Sequence, residues 1–91
     1  MVAKKEIENP VYSNSEIIDL VEKQNFASIS QGHYTKSIYF KNEDDDFSCF
    51  IFNLTSRSCI LLATLNKQKY NIDVNVQKFN ELFSKHKIFL I

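Results

Sequence analysis

Phe47-Ser-Cys-Phe-Ile-Phe-Asn-Leu54 and Cys59-Ile-Leu-Leu-Ala-Thr-Leu65 are two apolar runs separated by the polar break Thr55-Ser56-Arg57-Ser58. Runs of this length, rich in Phe, Ile and Leu and bounded by turn-forming residues, predict two strands of a hairpin. This hairpin is the expected centre of the core.

Two more strand-like runs precede it. Phe26–Ser30 and Tyr34–Lys41 flank Gln31-Gly32-His33, which holds the only glycine of the chain. A tight turn is expected there, with Gly32 supplying positive φ. Asn42-Glu43-Asp44-Asp45-Asp46 then separates the second strand from the third.

Register can be tested by pairing residues about each turn and asking whether one face stays apolar. Centring the last hairpin between Ser56 and Arg57 sets Leu54 against Cys59, Phe52 against Leu61 and Phe50 against Ala63. Centring the acidic turn on Asp44 sets Ile38 against Phe50 and Phe40 against Ser48. Centring the first turn between Gln31 and Gly32 sets Ile29 against Tyr34. One face then collects Ala27, Ile29, Tyr34, Ile38, Phe40, Phe50, Phe52, Leu54, Cys59, Leu61, Ala63 and Leu65, interrupted by Lys36 and Ser48. The other face mixes Phe26, Tyr39, Phe47, Cys49, Ile51, Ile60 and Leu62 with Thr35, Ser37, Lys41, Asn53, Thr64 and Asn66.

Helices are expected on either side of the strands. Ser13 and Glu16 form a capping box, and Ile17, Leu20 and Val21 make an apolar stripe, predicting a helix over 14–24 that ends near a left-handed Asn25. Tyr12 or Val11 can staple against Ile17. After a polar connection at 67–72, Asp73 is the expected N-cap of a second helix over 74–86, with Val76, Phe79, Leu82 and Phe83 as its stripe. Lys85, His86 and Lys87 suit the negative end of its dipole. Residues 88–91, all apolar, continue the helix or form a short strand, and should dock.

The expected architecture is therefore α+β: a four-stranded antiparallel meander over 26–66, with an N-terminal and a C-terminal helix packed on one face. A polar segment, 1–12, precedes a single domain over 13–91. The 91 residues suffice for one core, and 44% apolar content with eight Phe and four Tyr favours a folded globule.

Composition and motifs exclude several functions. Eleven basic residues cancel eleven acidic ones, so no net field draws in nucleic acid or an anionic membrane. Arg57 is the only arginine, which leaves little material for bidentate recognition of phosphate or guanine. A single glycine cannot build a phosphate-cradling loop. No ligand spacing for zinc occurs, and Cys49 and Cys59, on opposite faces, suit buried thiols better than a disulfide or a metal pair. The run Glu43–Asp46 lacks the alternating ligands and central glycine of a calcium loop, and is expected to be a solvated turn. His33 and His86 would need a nucleophile and an orienting carboxylate for catalysis. Ser28, Ser30 and the Asp run are near in sequence, but no spacing demands that they assemble, and surface or capping histidines are expected. No cofactor, metal or catalytic residue is expected. No stretch approaches the roughly 20 apolar residues of a membrane span, and residues 1–10 lack a secretory apolar core. A cytoplasmic address without membrane contact is the expectation. Asn9-Pro10-Val11-Tyr12 and the sequon Asn53-Leu54-Thr55 are short chance matches.

The order helix, antiparallel strands, helix resembles the double-stranded-RNA-binding domain over most of the chain. That family grips phosphates with a lysine cluster opening its second helix; here the stretch reads Asp73-Val74-Asn75-Val76-Gln77-Lys78, with one lysine behind an acid. The resemblance thus implies a topology rather than a function.

What is left over is the second sheet face, which no expected helix covers. The leading expectation is a small non-enzymatic protein-binding module, a regulator or inhibitor of a larger partner or a self-associating dimer, using Tyr39, Phe47, Ile51, Ile60 and Leu62. The competing expectation is weak nucleic-acid binding by Tyr34, Tyr39, Phe40 and Phe47 with Lys36, Lys41 and Lys69.

Overall fold

A computed structural model of the chain describes residues 12–42 and 46–89. The polar segment expected at 1–12, except Tyr12, lies outside these residues, as do Glu43–Asp45, Leu90 and Ile91.

Ser13 opens the first helix, α1 (Asn14–Glu22), through the expected capping box: Glu16 N donates to Ser13 Oγ at 3.2 Å and Ser13 N donates to Glu16 Oε1 at 2.8 Å. Both end groups are thereby satisfied without tertiary help. Ile17 and Val21 point into the core. The helix stops sooner than expected, at Lys23, which keeps right-handed dihedrals. Asn25 is not left-handed. Tyr12 packs at the edge of the core with its ring edge-on to Tyr70, at 6.3 Å.

Five strands follow: β1 (Phe26–Gln31), β2 (Thr35–Lys41), β3 (Phe47–Asn53), β4 (Ser58–Leu65) and β5 (Gln68–Val74), paired antiparallel in that order. The expected count of four is corrected by β5, where a polar connection was expected. Tyr70, Ile72 and Val74 alternate with Lys69, Asn71 and Asp73, a half-buried strand pattern of period two. Asn66 and Lys67 form the two-residue turn, with φ of 52° and 65°. Positive φ at both central residues matches the right-handed twist of a tight hairpin, and Asn tolerates it. Asp73 is therefore in a strand. The N-cap of the second helix, α2 (Val76–His86), is Asn75, whose Oδ1 accepts from Gln77 N at 2.7 Å.

The hairpin that centres the core is present with its turn displaced. Phe52 pairs with Cys59, Phe50 with Leu61 and Ser48 with Ala63, two positions from the expected pairing. Asn53 Oδ1 accepts from the amides of Thr55 and Ser56, at 2.9 and 3.0 Å, and so nucleates the turn one residue earlier than expected. The β2–β3 register, Ile38 on Phe50 and Phe40 on Ser48, is as expected. In the first hairpin Ile29 pairs with Ile38 rather than Tyr34, because the turn centres on His33 and Tyr34. Tyr34 is 71% exposed and belongs to the turn, not the core. Gly32 does not adopt positive φ. An irregularity between Phe26 and Ser28 brings Phe26 to the face of Phe40, exchanging it with Ala27, which is exposed.

Both helices bury their stripes in one cluster on one face of the sheet. Ile17, Val21, Phe79 and Leu82 join Ile29, Ile38, Phe40, Phe50, Phe52, Cys59, Leu61, Ala63, Leu65 and Val74. The rings of Phe52 and Phe79 lie 5.3 Å apart, and Lys78 Nζ reaches Glu22 Oε2 at 2.7 Å, tying α2 to α1. Lys36, on this face, covers Phe83 with its ammonium 5.1 Å from the ring centre. Ser48 is fully buried here and its hydroxyl has no hydrogen-bond partner. After α2, Lys87–Phe89 form one 3₁₀ turn. Ile88 does not dock as expected; it is 81% exposed.

Candidate functional site

Because side chains alternate across a strand, the face opposite the helices carries three rows that run from β2 to β5, and a fourth, Thr35, Asn53 and Ser58, that spans β2 to β4. The middle row is Tyr39, Cys49, Leu62 and Asn71. Toward the Asp46 end lies Lys41, Phe47, Thr64 and Lys69, and toward the other end Ser37, Ile51, Ile60 and Asp73. All five residues predicted from sequence, Tyr39, Phe47, Ile51, Ile60 and Leu62, thus share one face on three adjacent strands.

Their exposure is uneven. Phe47 and Leu62 are 45% and 41% exposed, while Tyr39, Ile51 and Ile60 are half-buried. Tyr39 leans toward Phe47, ring centres 6.1 Å apart. Between them opens a groove of about 550 Å³, lined by Tyr39, Phe47, Cys49, Ile51 and Leu62 with Lys69 and Asn71 at its β5 side. Ile60 stands beside Ile51 outside its wall. No helix of the described residues crosses this face. Phe26, expected here, has left it for the core through the bulge.

Cys49 forms the groove floor and is nearly inaccessible, at 5%. Burial pushes its thiol up to about 11, with hydrogen bonds from Tyr39 and Ser37 pulling partly the other way. Such a thiol is protonated and poorly nucleophilic at neutral pH. Cys59, buried on the opposite face, is pushed up to about 12 by its own burial and, secondarily, by Cys49. Both cysteines are free.

Other candidates do not assemble. Among the described residues no group of three or more His, Cys, Asp or Glu could hold a metal ion. His33 is exposed in the first turn beside Tyr34, whereas His86 lies flat on Phe26, ring centres 4.8 Å apart. The aromatic and basic residues of a strand-binding platform are divided: Phe40 and Lys36 are on the helix side, Tyr39, Phe47, Lys41 and Lys69 on the other, and Tyr34 in a turn. Asp46 clamps two turns together, its Oδ1 accepting from Asn66 N at 3.1 Å. A smaller hollow of about 240 Å³ beside it is lined by Gln24, Asn42 and Asp46, and the buried Gln24 amide has no partner there.

Sequence reasoning missed Asn71, Lys69 and Asp73 as rim residues because it read no strand in 68–74. The signal was present in the alternation of Tyr70, Ile72 and Val74.

No helix of the described residues is long and apolar enough to cross a membrane. No protein-family model matches the chain, and no curated protein or solved structure matches it.

Proposed function

We propose that this chain is a small non-enzymatic protein-binding module, one domain over 13–91, that docks a protein through the sheet face opposite its helices. The observation that carries this is the apolar groove with Phe47 and Leu62 exposed at its walls. Large apolar side chains gathered on one face and rimmed by Lys41, Lys69, Asn71 and Asp73 have the apolar centre and polar rim of an interface. A reducing, cytoplasmic setting suits two thiols that stand unpaired.

The test separates a docking surface from a core. Ile51→Glu combined with Leu62→Glu is expected to leave the circular dichroism spectrum and cooperative unfolding in place while abolishing self-association or capture of a partner. Leu61→Glu, one position over but facing the helices, is expected to unfold the chain. Loss of the fold in the Ile51/Leu62 double variant would show that the face is core and remove the proposal.

A further inference from the structure

The charged rim of the face is self-complementary. Lys41 and Lys69 stand at one end of the three rows and Asp73 at the other. Asn71, midway between Lys69 and Asp73 on β5, belongs to the middle row with Leu62. Successive residues on one face lie about 6.6 Å apart, so Lys69 and Asp73 of one chain are about 13 Å apart and cannot pair with each other. Neither takes part in the ion pair that joins Lys78 and Glu22.

Resting on the reading of this face as a docking surface, we propose that its occupant is a second copy of the chain, packed face to face with a two-fold axis along the row Tyr39–Cys49–Leu62–Asn71. Rotation about that axis keeps each strand over its own counterpart and reverses its direction. Leu62 then meets Leu62 of the second copy, Phe47 lies over Ile51, Thr64 over Ile60, and Lys69 over Asp73, each contact made twice. Lysine's long stem spans the displacement that the usual offset of about 30° between packed sheets introduces at the edge. The other in-plane axis, parallel to the strands, sets Asp73 over β1, which offers Ser28 and Ser30 on this face, and leaves it without a cation. Charge therefore selects the first arrangement.

The area suits a weak, reversible dimer. Five strands about 4.8 Å apart, overlapping over the five residues from Phe47 to Ile51 at about 3.3 Å each, give roughly 24 × 17 Å, or about 800 Å² over two copies, below the roughly 1,200–2,000 Å² of stable interfaces and in the range of transient ones.

The experiment is light scattering and sedimentation equilibrium on the unmodified chain, on Lys69→Glu, on Asp73→Lys and on Leu62→Glu. The unmodified chain is expected to be a dimer. Each single charge reversal turns two attractions into repulsions and is expected to weaken it roughly tenfold. Lys69→Glu and Asp73→Lys mixed in equal amounts are expected to form mixed dimers in preference to either homodimer, read by native mass spectrometry, because only the mixed pair restores both attractions. Leu62→Glu is expected to be a folded monomer. A monomeric unmodified chain overturns the second copy while leaving a docking face for another protein. A dimer that survives Leu62→Glu, or mixed dimers at the statistical ratio, overturns the geometry. Unfolding of Leu62→Glu would instead remove the docking face itself.

Discussion

His86 shows how one residue's setting changes its chemistry. At the end of α2 it was expected to serve the helix dipole as a cation. It lies instead against Phe26, the two rings 14° from parallel, and edge-on to Phe40 at 5.9 Å. Burial holds its pKa below the ordinary 6.5, Lys85 adds to this, and Glu22 opposes it. The folded chain thus prefers the neutral ring. Between the two pKa values the unfolded chain binds more protons, so stability is fully present above 6.5 and is lost as the pH falls from there through the folded value. Denaturant midpoints taken between about pH 7.5 and about pH 5.5 should fall with acidity, and fall less in His86→Phe, which keeps a ring on Phe26 but cannot charge. Parallel profiles for the two proteins would show that the ring titrates as freely folded as unfolded.

At the scale of elements, errors in turn position did not disturb the assignment of faces, for a geometric reason. The β3–β4 turn is displaced by one residue and the β1–β2 turn by two, and each displacement moves the pairing by an even number of positions. Only an odd shift flips a strand. The bulge at Ala27 is such a shift, and Phe26 is the aromatic it moved to the core. Pattern can locate a face; it cannot locate a bulge, which here depends on Phe26 finding Phe40 and His86 beneath it. β5 was legible by alternation, but its polar residues outweigh its apolar ones. Gly32 provides a sharper check on turn chemistry. It does not use positive φ, its amide donates to Thr35 O at 2.9 Å, and an added Cβ would meet that oxygen at an ordinary 3.9 Å. Gly32→Ala should therefore raise stability, by about 0.4–1 kcal/mol, through the reduced freedom of the unfolded chain. A lower denaturant midpoint for the variant would mean that the turn does require glycine.

Taken whole, the molecule is a sheet with a thick core on one side and a thin apolar cover on the other, and each side hides one thiol. Cys59 is sealed by residues that include Phe79 and Leu82 of α2, whereas Cys49 is sealed by the groove walls, Tyr39, Phe47 and Leu62. With thiols pushed up to about 12 and about 11, neither should react with a charged thiol reagent at neutral pH until the chain opens. Opening of the helix side is global, because α2 and the sheet share one cluster; opening of the groove side need not be. Phe79→Ala, expected to cost about 3–5 kcal/mol, should accelerate labelling of both cysteines together. Leu62→Glu should accelerate Cys49 and leave Cys59 as slow as before, read by peptide mass spectrometry after timed labelling. Equal acceleration of the two thiols by Leu62→Glu would mean that the groove face contributes to the same cooperative core as the helices, and a face that holds the fold together is not one left free to dock a partner.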